Sequence, residues 1–184
     1  SSLKPGNTAG AAYCGVRPYL ERTMGEPIFR MSKDEDPYVI AAHARAASTM
    51  PEFLRHVVEA SDASCMAKLR FRHPDLSEEN GEDQFFFLWL SSVYYHPEQS
   101  LLSGVFFEVP KGFEKWHAVG SRLGFEKEDV FDWMVIKDGH MYGGFTIRVT
   151  RSRIPENKRA EYDSYIGVLT YEPIAELLVK GSKA

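Results

Sequence analysis

The apolar positions of the chain change their spacing once, and this change separates a helical region from a sheet. Over residues 36–60 apolar side chains recur every three or four positions, which predicts an amphipathic helix. Asp36 is a suitable N-cap, and Pro37 suits the first helical position. Pro51 disfavours a continuous helix, but Thr49 begins a new capping box, so we expect a kinked or restarted helix.

From residue 62 onward the apolar period shortens to two, which is typical of strands. Residues 66–72 alternate apolar and basic side chains, and this pattern predicts a strand with one solvated face. The segment 73–83 is rich in turn-forming residues. Residues 84–95 are apolar on both faces, which predicts a central strand. We expect this strand to form a hairpin with residues 101–109.

The second half of the chain predicts a second hairpin and two polar helices. A short helical turn is expected over 111–119 and a short strand over 120–125. The clearest signal is the pair of apolar runs 130–136 and 140–150, which flank a turn. The turn residues are Asp138 and Gly139, while Gly143 and Gly144 lie inside the second predicted strand and indicate a bulge. Pro155 is expected to open a helix to residue 165, and Pro173 another through residue 179.

These elements predict a single α+β domain. Residues 1–35 are rich in glycine and proline and are expected to form an extended arm. Residues 36–165 form the domain itself, a curved antiparallel sheet of hairpins with the N-terminal helix packed on one face and short helices at its C-terminal end. Residues 166–184 are expected to form a C-terminal helical tail.

Charge and hydropathy exclude several classes of protein. The 184 residues include 22 basic and 26 acidic side chains, for a net charge of -4, which creates no long-range attraction for a polyanion. We therefore expect no nucleic-acid partner. No window approaches the ~18 consecutive apolar residues of a membrane span. The compartment stays open between the cytoplasm and, if a signal has been removed, the periplasm or the exterior.

The metal-ligating residue types show no binding pattern. The six histidines include no H-x-x-x-H or H-E-x-x-H spacing, and we expect neither a metal nor a cofactor. Cys14 and Cys65 are too few for a disulfide scaffold. They are interpreted either as two unpaired thiols or as one bridge that ties the arm to the domain.

Four ordered motifs carry a resemblance to a known family. They are A-R-A-A-S-T-M-P-E-F at 44–53, L-W-L-S-S-V at 88–93, D-W-M at 132–134, and D-G-H-M-Y-G-G-F-T-I-R at 138–148. Over residues 36–160 the chain resembles the YegJ-like family (DUF2314), a bacterial domain of unknown function. Ser92 stands where the family has an acidic residue. The resemblance implies a fold and a bacterial source but no activity, and some members resemble immunity-type proteins encoded near toxins.

The candidate functional residues lie within these motifs. Asp132 is expected to be a structural partner of Arg148 or of backbone amides, and the alternative is a catalytic carboxylate. Trp89 and Trp133 are each interpreted as core residues or as rigid platforms at a protein interface. The candidate binding residues are Trp89, Asp132, Trp133, Met134, Tyr142 and Arg148. The basic residues at 68, 70 and 72, and again at 148, 151 and 153, are interpreted as a solvated strand face, with single-stranded nucleic acid as the alternative.

The sequence supports two hypotheses for the function, one a binding domain and the other an enzyme. The leading hypothesis is a non-enzymatic domain that binds another protein, with an immunity-type inhibitor of a toxin as one form of it. The alternative is a small hydrolase or other enzyme that uses Asp132 with His140 or Arg148. Convergence of these three side chains in a cleft would favour the enzyme. The oligomeric state is not predicted.

Overall fold

A computed structural model describes residues 36–59 and 62–175 of the chain. The arm predicted over residues 1–35 therefore lies outside the described residues, and so does Cys14 with any bridge that it would form. The same holds for residues 176–184, which include most of the helix predicted after Pro173.

Two consecutive helices open the described chain. Helix α1 spans Pro37–Ser48 and helix α2 spans Met50–Glu59. The side chain of Asp36 caps α1 by accepting a hydrogen bond from the N–H of Tyr38 at 3.0 Å. Thr49 separates the two helices, and its N–H still donates to the carbonyl of Arg45. The restart predicted near Pro51 is confirmed, and it occurs two residues earlier.

One sheet organises the rest of the domain. Its strands are β1 Ser64–Arg72, β2 Phe85–His96, β3 Leu101–Phe106, β4 Arg122–Phe125, β5 Val130–Lys137, β6 His140–Gly143 and β7 Thr170–Tyr171. Their order is β4-β3-β2-β1-β5-β6-β7. All neighbours are antiparallel except β6 and β7. The α+β class and the central position predicted for residues 84–95 are confirmed, because β2 lies between β1 and β3.

Three further helices connect the strands. Helix α3 spans Pro74–Asn80, α4 spans Phe145–Arg153 and α5 spans Glu156–Tyr165. A 3-10 helix, Lys127–Asp129, precedes β5. The helix predicted after Pro155 is confirmed. The segment 73–83 is expected to be a turn, and this prediction is wrong in the middle of the segment, which is helix α3. Residues 111–119, where a short helical turn is expected, form turns but no helix.

The strand predicted over 140–150 is wrong in its second half. Strand β6 ends at Gly143, and helix α4 begins two residues later. Gly143 and Gly144 have φ of 65° and 64°, the left-handed region that glycine adopts without strain. The glycine pair therefore ends a strand and starts a helix, and it is not a bulge within one strand. The Asp138-Gly139 turn is confirmed, with φ of 50° and 76° at its two residues.

The predicted helical tail also needs correction. Within the described residues after 165, the chain forms β7, which pairs parallel to β6 through His140↔Thr170 and Met141↔Tyr171. The N–H of Leu169 donates to the carbonyl of Gly139 at 2.7 Å and holds the approach to this strand. The first part of the tail thus adds an edge strand to the sheet.

The two faces of the sheet are covered to different extents. On one face Ala46 and Phe53, from α1 and α2, pack with Leu88 and Trp133 of the sheet. The other core cluster, around Met134, includes Tyr162 of α5. On that second face Arg70 and Arg72 of β1 are exposed, and Lys68, Phe85 and Trp89 are half-buried. On this face the Arg70–Arg72 end of β1 is therefore exposed, while Met66 and Phe87 are buried.

Candidate functional site

Asp132 holds the start of helix α4. Its side chain is fully buried on β5. Oδ1 accepts hydrogen bonds from the N–H groups of Trp133 at 2.8 Å and Phe145 at 3.2 Å. Oδ2 accepts from the N–H of Thr146 at 2.7 Å and from its Oγ1 at 2.5 Å. Gly144, the N-cap residue, has no side chain to satisfy these amides, so Asp132 caps the helix from the neighbouring strand.

Lys68 extends this polar group across the sheet. Its Nζ donates to Thr146 Oγ1 at 3.1 Å, and β1–β5 pairing places Lys68 opposite Asp132. Burial raises the pKa of Asp132, and the hydrogen bonds from Thr146 and the charge of Lys68 act against this shift. Burial also disfavours the charged form of Lys68, and it therefore lowers the pKa of that side chain. We call Asp132, Thr146 and Lys68 the Asp132 centre; its hydrogen bonds join β1, β5 and α4.

The side chains of the enzyme hypothesis do not converge on Asp132. Arg148 donates from Nε to the carbonyl of Gly143 at 2.8 Å and from Nη2 to that of Met141 at 3.4 Å. His140 contacts Thr170 and Glu172. The expected Asp132–Arg148 hydrogen bond is therefore wrong, because residue 148 lies on a helix and not on a strand. The expected bonds to backbone amides are confirmed.

Three of the predicted binding residues are core side chains. Asp132, Trp133 and Met134 are exposed by 0%, 1% and 7%. Trp133 packs against Phe53 and Phe145 and donates from Nε1 to the carbonyl of Ala46 at 3.2 Å. The core interpretation of Trp133 therefore holds for this structure, and these three side chains offer almost no surface to a partner.

The other three predicted binding residues are half-buried and lie apart. Tyr142 packs between His56 and His140, with ring centroids 4.6 and 4.8 Å away. Trp89 lies against the core cluster on the opposite face from the one that Tyr142 packs against. Arg148 lies on α4. The six predicted residues do not form one surface.

Two cations of β1 lie over aromatic rings of β2, on the face of the sheet opposite α1 and α2. Lys68 Nζ lies 5.5 Å from the centroid of the Trp89 ring, and the guanidinium carbon of Arg70 lies 4.4 Å from that of Phe85. We call these four residues the basic–aromatic strip. The β1–β2 register brings Lys68 directly opposite Trp89. The register places Phe87 opposite Arg70, so the Arg70–Phe85 contact is diagonal. The sequence shows the basic residues and the aromatic run but not the register that brings them together.

Two other kinds of reactive site are a cysteine thiol and a metal centre, and the thiol of Cys65 is buried. Burial raises the pKa of the Cys65 thiol to about 11, which makes it a poor nucleophile. Over residues 36–59 and 62–175, no group of three or more His, Cys, Asp or Glu side chains could hold a metal ion. In the same part of the chain, no helix has both the length and the apolar character to cross a membrane.

Comparison with known proteins identifies a family and a distant relative. Residues 36–169 match the family described as "Uncharacterized protein conserved in bacteria (DUF2314)". A putative ankyrin repeat protein of Neisseria meningitidis serogroup B is 27% identical over 169 residues. This alignment covers 87% of the chain and 63% of the relative, so the chain spans less than two thirds of that protein's length. No solved structure is significantly similar to the chain.

Proposed function

The chain belongs to the uncharacterised bacterial family DUF2314, and from this premise we propose that it is a non-enzymatic domain that binds another protein. The observation that carries the proposal is the use of its most distinctive polar residue. Asp132 is fully buried, and donors from three residues occupy its carboxylate. A general acid or base must reach the proton that it transfers, and this carboxylate reaches only its own chain.

The other two residues of the enzyme alternative are held away from Asp132. Arg148 is bound to backbone carbonyls, and His140 is bound to Thr170 and Glu172. No described hydrogen bond or ion pair links either side chain to Asp132. The buried hydrogen bonds of Asp132 instead favour a structural role, since they satisfy the exposed amides of a helix start.

The basic–aromatic strip is the surface that we assign to the partner. Neither β1 nor β2 contains an acidic residue, but Asp132 of β5 lies beside Lys68, so Arg70 is the exposed cation that the strip offers to a partner. A guanidinium or ammonium group over a ring presents charge and apolar area together. A protein with acidic residues beside an apolar patch complements both features. The net negative charge of the whole chain disfavours a nucleic acid there.

Two further points define the partner. The Neisseria relative carries the name of an ankyrin repeat protein, and repeat proteins of this kind use extended concave surfaces for binding. This supports a role in protein interactions. In its finer form the proposal takes the partner to be a toxin and the chain to be its immunity-type inhibitor; that form depends on the likeness of some family members to immunity-type proteins.

The test is capture of a partner by the full chain and by two matched variants. The chain is used as bait in a bacterial extract as the wild type, as Arg70→Gln and as Arg45→Gln. Arg45 is also exposed but lies on α1, which packs on the opposite face of the sheet. We expect one acidic protein to be retained by the wild type and by Arg45→Gln and to be lost with Arg70→Gln. Equal retention by all three, or retention of no protein, contradicts the proposal.

A further inference from the structure

A cleft rich in arginine is formed by α4, α5 and β7. It has a volume of about 380 Å³ and is lined by Arg148 and Arg151 of α4, Arg159 of α5 and Tyr171 of β7. We call these four residues the arginine cleft. Three guanidinium groups from two helices thus share one cleft with an aromatic ring, and none of the described residues that line it is acidic.

The ring of Tyr171 organises two of the three cations. The guanidinium carbons of Arg148 and Arg151 lie 5.2 and 4.9 Å from its centroid. The hydroxyl of Tyr171 donates to Asp163 Oδ1 at 2.5 Å, and Arg151 forms two hydrogen bonds of 2.7 Å to the same carboxylate. The positions of Tyr171 and Arg151 are therefore fixed by contacts within the protein before any ligand binds.

Neither Arg148 nor Arg159 has a carboxylate in ion-pair contact among the described residues. Arg148 donates to the carbonyls of Gly143 and Met141, and Arg159 donates to those of Ile154 and Ser152. Burial lowers the pKa of Arg148, and the effects of Tyr171, Asp132 and Glu172 in the other direction are smaller. A half-buried guanidinium whose charge is not balanced gains from an anion.

We propose that the arginine cleft binds the phosphate group of a small phosphate monoester. Of the three guanidinium groups, that of Arg151 is paired with Asp163, and the other two have no carboxylate in ion-pair contact among the described residues. A phosphate monoester carries nearly two negative charges at neutral pH. Guanidinium forks match the geometry of phosphate oxygens, and a single carboxylate would balance only half of the charge.

The size of the cleft sets the kind of ester. Small-molecule sites begin at about 300 Å³, so this cleft accommodates a phosphate with a small organic group. The ring of Tyr171 and the side chain of Ile174 give that group apolar contacts. This inference concerns a site on α4, α5 and β7 and does not depend on the partner proposed for the basic–aromatic strip.

The experiment is calorimetric titration of the full chain with three probes at constant ionic strength. The probes are inorganic phosphate, phenyl phosphate and a phosphoserine peptide, with sodium chloride as the reference salt. We expect phosphate to bind with one site and phenyl phosphate to bind more tightly. Tightest binding of the phosphoserine peptide would instead assign the same phosphate site to a modified protein. Binding of phosphate no stronger than that of chloride overturns the proposal.

Matched arginine variants locate the site. Arg148→Gln and Arg159→Gln should each weaken phosphate binding by about tenfold, since each removes a charge-assisted contact. Arg153→Gln is the control, because Arg153 lies on the same helix but pairs with Asp36 outside the cleft. Arg159 is held only by carbonyl oxygens near the surface, so its variant keeps the test valid if Arg148→Gln fails to fold. Equal weakening by Arg153→Gln contradicts the assignment.

Discussion

Asp132 and Thr146 lie on different elements, yet the carboxylate of Asp132 accepts both the N–H and the hydroxyl of Thr146, at 2.7 and 2.5 Å. The strand β5, the turn, the short strand β6 and the two glycines bring helix α4 back against the residue that caps it. The D-W-M and T-I-R motifs are therefore joined in the structure, because the aspartate of the first accepts hydrogen bonds from the threonine of the second.

Loss of the Asp132 charge should destabilise the fold. Asp132→Asn places an amide N–H₂ group among donors, and we expect the free energy of unfolding to fall by about 2–4 kcal/mol. Urea denaturation measures it. The control is Asp138→Asn, because Asp138 is exposed in the turn and asparagine tolerates its φ of 50°. Similar losses in both variants would mean that Asp132 does not cap the helix.

The partner of Asp132 can be identified by a double-mutant cycle. Asp132→Asn combined with Thr146→Val should lose clearly less stability than the sum of the single variants, because both disrupt the hydrogen bond from Thr146 Oγ1 to Asp132 Oδ2. Asp132→Asn combined with Arg148→Met should be closer to additive, since Arg148 bonds to carbonyl oxygens. Strong coupling with Arg148 and none with Thr146 would restore the arrangement that the sequence alone predicts.

Gly143 should tolerate no side chain. A Cβ atom there would lie 2.4 Å from the carbonyl oxygen of Trp133, in addition to the strain of a φ of 65°. We expect Gly143→Ala to cost roughly 2–4 kcal/mol. Gly120→Ala separates the two effects, because Gly120 has a φ of 86° but no atom within 4 Å of its Cβ position. That variant should lose only about 1 kcal/mol. Thermal melting of the two proteins provides the comparison.

The Arg151–Asp163 pair should contribute a defined part of the acid sensitivity. Burial acts to raise the pKa of Asp163, but hydrogen bonds from Arg151 and Tyr171 and the charge of Arg151 hold it below its ordinary value of 3.8. A folded pKa below the unfolded one gives stabilisation that is complete above pH 3.8 and is lost as the pH falls through the folded pKa. The stability gap between wild type and Asp163→Asn should therefore be wider at pH 7 than at pH 3.

A matched carboxylate controls for general acid effects in that measurement. Glu161 lies on the same helix and pairs with Lys158 at the surface. Glu161→Gln should differ little from the wild type at either pH, because exposed pairs contribute little to stability. A gap for Asp163→Asn that stays constant from pH 7 to pH 3 would show that the pair does not titrate with folding.

The sequence predicts best the elements whose side chains alternate over a long run. The two-sided apolar run of β2 and the Asp138-Gly139 turn are visible without a structure because each follows from local chemistry. Helix α4 is not predicted, since its β-branched residues favour a strand and its cap is supplied by Asp132 from another element. Helix α3 has only seven residues, too few to show a helical period.

The candidate surfaces depend on pairing that no local pattern contains. The basic–aromatic strip requires the β1–β2 register, and the arginine cleft requires α4 and α5 to be helices beside β7. The sequence places Arg148 on the strand predicted over 140–150 and Arg151 just beyond that strand, and Tyr171 falls within a predicted tail. Because residues 145–150 are predicted as a strand and not as a helix, the sequence does not predict the cleft.

The central claim is that the basic–aromatic strip is the protein-binding surface, and the affinity of the captured partner tests it most directly. The purified partner is titrated by calorimetry with the wild type, with Arg70→Glu and with Arg45→Glu, at low and at physiological salt. We predict that Arg70→Glu weakens binding by tenfold or more, that Arg45→Glu changes it by about twofold at most, and that salt weakens only the wild type and Arg45→Glu strongly. Equal affinities of Arg70→Glu and Arg45→Glu for the partner would contradict the claim.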